Sequence, residues 1–156
     1  MRKMWIMVLG ACIGLASSAT VLGGGLLSAT GPVIAIVGDD LFVGEAEGHL
    51  SGAGTLAIHS QKDPALRCLG QFTSSAELGG SGQMRCSDGS TGTFHFQRLT
   101  MFCGHGVGNS GRGSMSFAYG LTPEQARPYL KLPEGKKLTH NGTELELVAL
   151  MQSLQQ

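Results

Sequence analysis

Charge is scarce in this chain. Of its 156 residues only 14% are Asp, Glu, Lys or Arg, and 11 cations balance 11 anions. With no surplus of cations to displace counterions from phosphates, a dedicated nucleic-acid binder is excluded. Paired-ligand spacings such as two cysteines two residues apart are missing, and no Lys-Ser or Lys-Thr follows any glycine-rich stretch. The first absence argues against a structural zinc site and the second against a phosphate loop. No Gly-x-Ser-x-Gly nucleophile elbow is present either. The chain is short enough for one domain and a leader. Its 42% hydrophobic residues suffice for a modest core, so global disorder is excluded.

Glycine is abundant, with 25 residues. At about 1 kcal/mol per helical position, that content excludes a helix bundle. From Gly44 to Gly120 there are 16 of these glycines and a loose repeat, opened by Gly52-Ala53-Gly54, Gly80-Ser81-Gly82 and Gly111-Arg112-Gly113. Each opening runs into alternation: Leu56/Ile58, Met84/Cys86 and Met115/Phe117/Tyr119. Thr93-Phe94-His95-Phe96 alternates in the same way after the turn Asp88-Gly89-Ser90. A period of two marks strands with one buried face. Gly-x-Gly leaves such a face bare, so that a neighbouring ring lies across it or a small barrel curves tightly. The fold class expected is mainly β: an antiparallel meander forming a small sandwich or open barrel, with a short helix and a C-terminal hairpin.

The amino terminus has the layout of a secretory leader. Arg2 and Lys3 precede the apolar run Met4–Leu15, and small residues follow at Ala16-Ser17-Ser18-Ala19. This places a signal cleavage after Ala19. Removing residues 1–19 takes two cations with it and leaves a mildly acidic body. Two other readings stand beside it. The apolar character continues to about Leu27, so the segment reads also as a retained membrane anchor, weakened by Gly23-Gly24-Gly25. Leu9-Gly10-Ala11-Cys12 resembles a lipobox, which makes Cys12 a possible lipidation site. All three put the body outside the cytoplasm, in the periplasm or cell envelope, with membrane contact only through the N-terminal segment.

Residues 20–43 form an apolar, glycine-rich lead-in holding a first strand, Val33-Ile34-Ala35-Ile36-Val37. Residues 44–120 form the glycine-rich β domain. Residues 121–150 hold the helix and hairpin: Thr122 caps, Pro123 opens and Gln125 completes a capping box, while Pro128 limits the helix. Asn141-Gly142 is a hairpin signal that sets Lys136-Lys137 against the Glu144/Glu146 segment. Residues 151–156 are a tail.

In an oxidising compartment two of the remaining cysteines pair, and Cys68 with Cys86 is the expected disulfide, Cys86 with Cys103 the alternative. Cys103-Gly104-His105 is the most chemically suggestive spot, since thiolate and imidazole share a soft metal well. His95 or His59 would complete such a site, but the bland reading is a loop histidine beside a disulfide. Ser87-Asp88 with His95 or His105 is an imaginable hydrolytic set, although Asp88-Gly89 reads better as turn chemistry. Asp39, Asp40, Glu45 and Glu47 are an acidic cluster whose spacing matches no calcium loop.

Cys68-x-Gly70-x-Phe72, Gly80-x-Gly82, Cys86-x-Asp88-Gly89 and the aromatic alternation of residues 92–120 together resemble a diffuse group of small exported proteobacterial proteins. The resemblance covers residues 44–120. It implies export and a compact β domain; the group has no established activity, so no functional residue is carried over. The function expected is a non-enzymatic envelope protein that binds or scaffolds, without a cofactor, its partner another envelope protein or a second copy. The alternative is a periplasmic metal-binding protein using Cys103, His105 and a further histidine such as His95.

Overall fold

A run of eight antiparallel strands, each paired with the next in sequence, closes on itself. The structure, a computed structural model, describes Cys12, residues 28–75 and residues 78–151. The strands are β1 (Ser28–Val37), β2 (Asp40–His49), β3 (Ala53–Ser60), β4 (Arg67–Ser75), β5 (Gly79–Cys86), β6 (Thr91–Arg98), β7 (Gly104–Ser110) and β8 (Gly113–Tyr119). The expected mainly β antiparallel meander forms, and pairing of β1 with β8 makes it a closed barrel rather than an open one or a sandwich. The barrel starts at Ser28, and residue 44 lies inside β2, so the lead-in strand and the glycine-rich segment form one unit. Apart from Cys12, the leader, with the Ala19 position, and residues 152–156 lie outside the described residues.

Barrel closure follows from the way large and small residues alternate across the strands. One row of hydrogen-bonded neighbours reads Gly54, Phe72, Gly82, Phe94, Gly108, Met115, Val37. The next reads Gly80, Phe96, Gly106, Phe117, Ala35, Phe42, Ser60. Continued through Gly48, the first row returns to β1 at Ala29, eight residues from Val37. Eight strands with that stagger make a narrow barrel whose interior is just wide enough for side chains. Each large inward ring therefore has glycine, alanine or serine on at least one side, while Met115 lies between Gly108 and Val37 and Tyr119 between Gly104 and Val33. The rings meet edge to face: Phe72–Phe96 at 5.4 Å, Phe94–Phe117 at 5.5 Å and Phe96–Tyr119 at 5.7 Å between centroids. That geometry is favoured by the ring quadrupoles and adds about 0.5–1.5 kcal/mol per pair beyond area burial.

A second core lies outside the barrel. Ile34, Ile36, Leu41 and Ala118 face outward from β1, β2 and β8 and pack with Leu121, Ala126, Leu130, Leu138 and Leu145. This is why Val33–Val37 is an unbroken apolar run: both of its faces are buried. Thr122 and Gln125 form the full capping box of α1 (Pro123–Ala126), and a 3-10 turn, Arg127–Tyr129, follows at Pro128. The Lys131 amide donates to the Ser116 hydroxyl (2.8 Å), and the Gln61 side-chain amide donates to the Leu145 carbonyl (2.9 Å). These bonds fasten the carboxyl-terminal segment to the barrel wall.

The hairpin of β9 (Lys136–Asn141) and β10 (Glu144–Ala149) forms, but its register differs from the expected one. Gly142, at φ 65°, is the first of two loop residues, so Asn141 is the last strand residue. Lys137 consequently stands opposite Val148 and Lys136 opposite Ala149, and the expected Lys–Glu ladder does not form.

A methyl group added at Gly106 would overlap both the His95 carbonyl oxygen and the Phe117 ring, whereas one added at Gly48 meets nothing within 4 Å. Gly106→Ala is expected to lower unfolding free energy by about 1–3 kcal/mol, as overpacking does. Gly48→Ala should leave it within about 0.5 kcal/mol. Urea titration of both variants measures the difference.

Candidate functional site

Cys68 and Cys86 stand directly opposite one another on β4 and β5 and are joined by a disulfide that faces the lumen. In the chain-entropy relation, its sequence separation of 18 residues corresponds to about 3 kcal/mol of stabilisation. The second bond corrects the expectation that one cysteine is left over. Cys103 is joined to Cys12 across 91 residues. The Cys12 sulfur is thus occupied and is not free to carry a lipid thioether. Residue 12 is held beside Cys103 at a Cα–Cα distance of 6.5 Å; the rest of the segment read as a membrane anchor lies outside the described residues. A cut after Ala19 would leave residues 1–19 attached through this bond.

The suggested metal site is not assembled. Cys103 is fully buried in the second core and its sulfur is in the disulfide, so no thiolate is available. His95 points outward on β6, opposite Val107, while His105 stands on β7 opposite Gln97. The His105 ring stacks on Tyr129 at 4.1 Å and 12°, which assigns it to docking of the 3-10 turn. Among the described residues no three His, Cys, Asp or Glu side chains gather to hold a metal. His59 lies on β3 opposite Arg67 and Val43, away from the other two.

The acidic cluster is likewise dispersed. Asp40 accepts the Ser60 hydroxyl at 2.6 Å, whereas Glu45 and Glu47 lie further along β2. Ser60 also accepts from the Lys62 and Asp63 amides and is wholly buried, so it closes that end of the lumen.

Ser87 and Asp88 are turn residues in the structure. The Ser87 hydroxyl donates to the Ala65 carbonyl and accepts from the Arg67 amide, both at 3.1 Å, locking the β5–β6 turn to the β3–β4 loop. Asp88 accepts from the Ser90 amide (2.9 Å) and hydroxyl (2.6 Å) and from Arg112 (2.7 Å). It thus clasps the β5–β6 turn to the β7–β8 turn. The two Ser90 hydrogen bonds, with the Arg112 guanidinium next, hold its carboxyl down at about 2. His95 is midway along β6 and pairs with Val107, and His105 is at the start of β7 at the opposite end of the barrel. Ser87 and Asp88 make their hydrogen bonds within the turns and to neither histidine.

What the barrel presents outward is a polar, mostly uncharged face on β3 to β7. Thr55, Gln71, Gln83, Thr93 and Asn109 form one row across five strands. Two shallow grooves flank this row. In one, Ala57, Leu69, Arg85 and Thr91 form the far wall, and Gly70 and Gly92 let the floor lie close to the backbone. The other is bounded by Ala53, Thr73 and Ser81.

Sequence reasoning missed the apolar rim. Leu50, Leu78, Leu99, Met101 and Phe102 are all exposed, and all lie in the turns at a single end of the barrel. Leu50 and Leu78 stand alone in the sequence, and only strand order brings them beside Leu99, Met101 and Phe102.

For Asp88 the folded value lies below the ordinary 3.8, so its contribution to stability is present above about pH 4 and is lost as pH falls toward 2. Asp88→Asn should lower the urea midpoint at pH 7, and the gap between native and variant should close below pH 2. A pH series of denaturation curves on both proteins checks this. No protein-family model, no curated protein and no solved structure matches the chain.

Proposed function

We propose that the protein is a non-enzymatic component of the cell envelope, exported, which binds or scaffolds through the outside of its barrel. The observation that carries this reading is the filled lumen. Eight-stranded barrels that carry a small molecule hold it inside. Here Phe42, Phe94, Phe96, Phe117 and Met84 occupy that space. Recognition is therefore left to the exterior: the polar face with its two grooves, and the apolar rim.

The direction of the alternation supports the same reading. A barrel that spans a membrane turns apolar residues outward and polar ones inward. This barrel does the reverse, with aromatic rings inside and Glu45, Gln71, Gln83 and Arg85 outside. Two disulfides are the thiol state of an oxidising compartment, and the leader-like layout of residues 1–19 and the resemblance to small exported glycine-rich proteins point the same way. Among the described residues no helix is long and apolar enough to cross a membrane.

The reading is tested by fractionating cells that produce the full chain and blocking thiols with a maleimide before lysis. Recovery in the envelope fraction, with cysteines that react only after reduction, is the expected result. A cytosolic chain with four reactive thiols would contradict it.

A further inference from the structure

The two ends of the barrel differ sharply in chemistry. At one end the turns hold Asp39, Asp40, Lys62, Asp63, Asp88 and Arg112. At the other, the β2–β3, β4–β5 and β6–β7 turns raise Leu50, Leu78, Met101 and Phe102, with relative exposures of 69%, 80%, 69% and 63%. Leu99, also in the β6–β7 turn, is 46% exposed. Leu69 on β4, Val107 on β7 and Leu150 and Met151 after β10 are exposed singly or as a pair, as is ordinary on a soluble surface, whereas five large apolar side chains gathered at one pole are not. Nor is a compensating charge aimed outward among the described residues of these turns. Arg98 is turned in, donating to the Ser74 hydroxyl (2.6 Å) and the Met101 carbonyl (3.3 Å). The acid that the sequence carries in these turns is Glu77.

Two further observations identify what this pole faces. β1 begins here, so the chain enters the barrel at this pole through Ser28. The Cys12–Cys103 bond fixes residue 12 beside the β6–β7 turn, the turn that carries Met101 and Phe102. In the sequence, Cys12 belongs to the apolar run Met4–Leu15, with Arg2 and Lys3 before it. We infer that this pole is a membrane-docking face: Leu50, Leu78, Leu99, Met101 and Phe102 insert among lipid acyl chains, and the barrel stands on the bilayer with its charged end toward water. This rests on the envelope reading above. Insertion is driven by burying apolar side chains at the headgroup boundary, so it needs no anionic lipid and no salt-sensitive contact.

The test uses the full, oxidised chain on vesicles of phosphatidylcholine, with and without phosphatidylglycerol, that contain a lipid with a photoactivatable acyl chain. Peptide mapping is expected to find label in the turns around residues 50, 78 and 99–102, and none around Asp63, Asp88 or Arg112. Leu78→Glu with Phe102→Glu should weaken vesicle partition at least tenfold at every salt concentration. The urea midpoint should not move, since both side chains are already exposed. Label confined to residues 1–27, a pole shielded by residues 13–27, or a pole buried in a dimer that the same double substitution dissociates would each overturn the inference. A chain found in the cytosol would contradict the envelope reading, and lipid labelling of the isolated protein would be unaffected by that result. The two failures are therefore distinguishable.

Discussion

Phe72, Phe94, Phe96, Phe117 and Tyr119 each project into the lumen beside at least one glycine on the neighbouring strand, and that placement constrains the rest of the molecule. A lumen this narrow does not admit two large side chains side by side on adjacent strands. Glycine supplies the vacant half of each pair and lets the ring lie flat against the opposing backbone. The same residue is a weak strand former, because it brings no side chain to pack and loses the most chain entropy on folding. The ring that covers it compensates, shielding the backbone and adding edge-to-face contacts with the next ring. Glycine content and barrel closure are thus two expressions of one packing rule.

The remaining elements secure what this packing leaves exposed. β1 is apolar on both faces, which would make the outside of the barrel adhesive were it bare. Helix α1, the 3-10 turn and the β9–β10 hairpin cover that side, and His105 stacked on Tyr129 holds their junction. The Cys68–Cys86 bond sits in the lumen where two small sulfur side chains complete the row that contains Ile58 and Gly44. Ser60, with its hydroxyl on Asp40, closes the charged end. Cys68, Cys86, Ser87, Asp88, Cys103 and His105 are each absorbed into such a structural task, which leaves Glu45, Glu47, His59 and His95 on the outer surface of the barrel wall.

Much of this was legible in the sequence. The alternations Leu56/Ile58, Met84/Cys86, Phe94/Phe96 and Met115/Phe117/Tyr119 all mark lumen-facing positions, since period two survives wherever one strand face meets water. Gly54 and the bare face of Gly80-x-Gly82 do lie under the rings of Phe72, Phe94 and Phe96, whereas Gly111-x-Gly113 makes the β7–β8 turn and has no ring across it. The Thr122 capping box was visible in four residues. Val33–Val37 was visible as an apolar run, but the largely exposed Ser28–Pro32 part of β1, and β2, whose lumen positions Gly44, Ala46 and Gly48 are small, carry no apolar alternation. The Cys12–Cys103 bond was hidden by its position in a stretch laid out like a discarded leader. The Asp88–Arg112 clasp and the apolar pole depend on turns that only barrel closure brings together.

Xenon NMR tests the filled lumen most directly. Dissolved xenon enters dry apolar cavities and shifts the methyl resonances that line them. The account predicts no saturable shift of the Val33, Leu56, Ile58 or Met84 methyls in the native protein, and a saturable one in Phe94→Ala, whose missing ring opens a space among them. Saturable xenon shifts of those methyls in the native chain would mean the barrel is hollow, and a carrier of small apolar molecules would replace the exterior binder argued above.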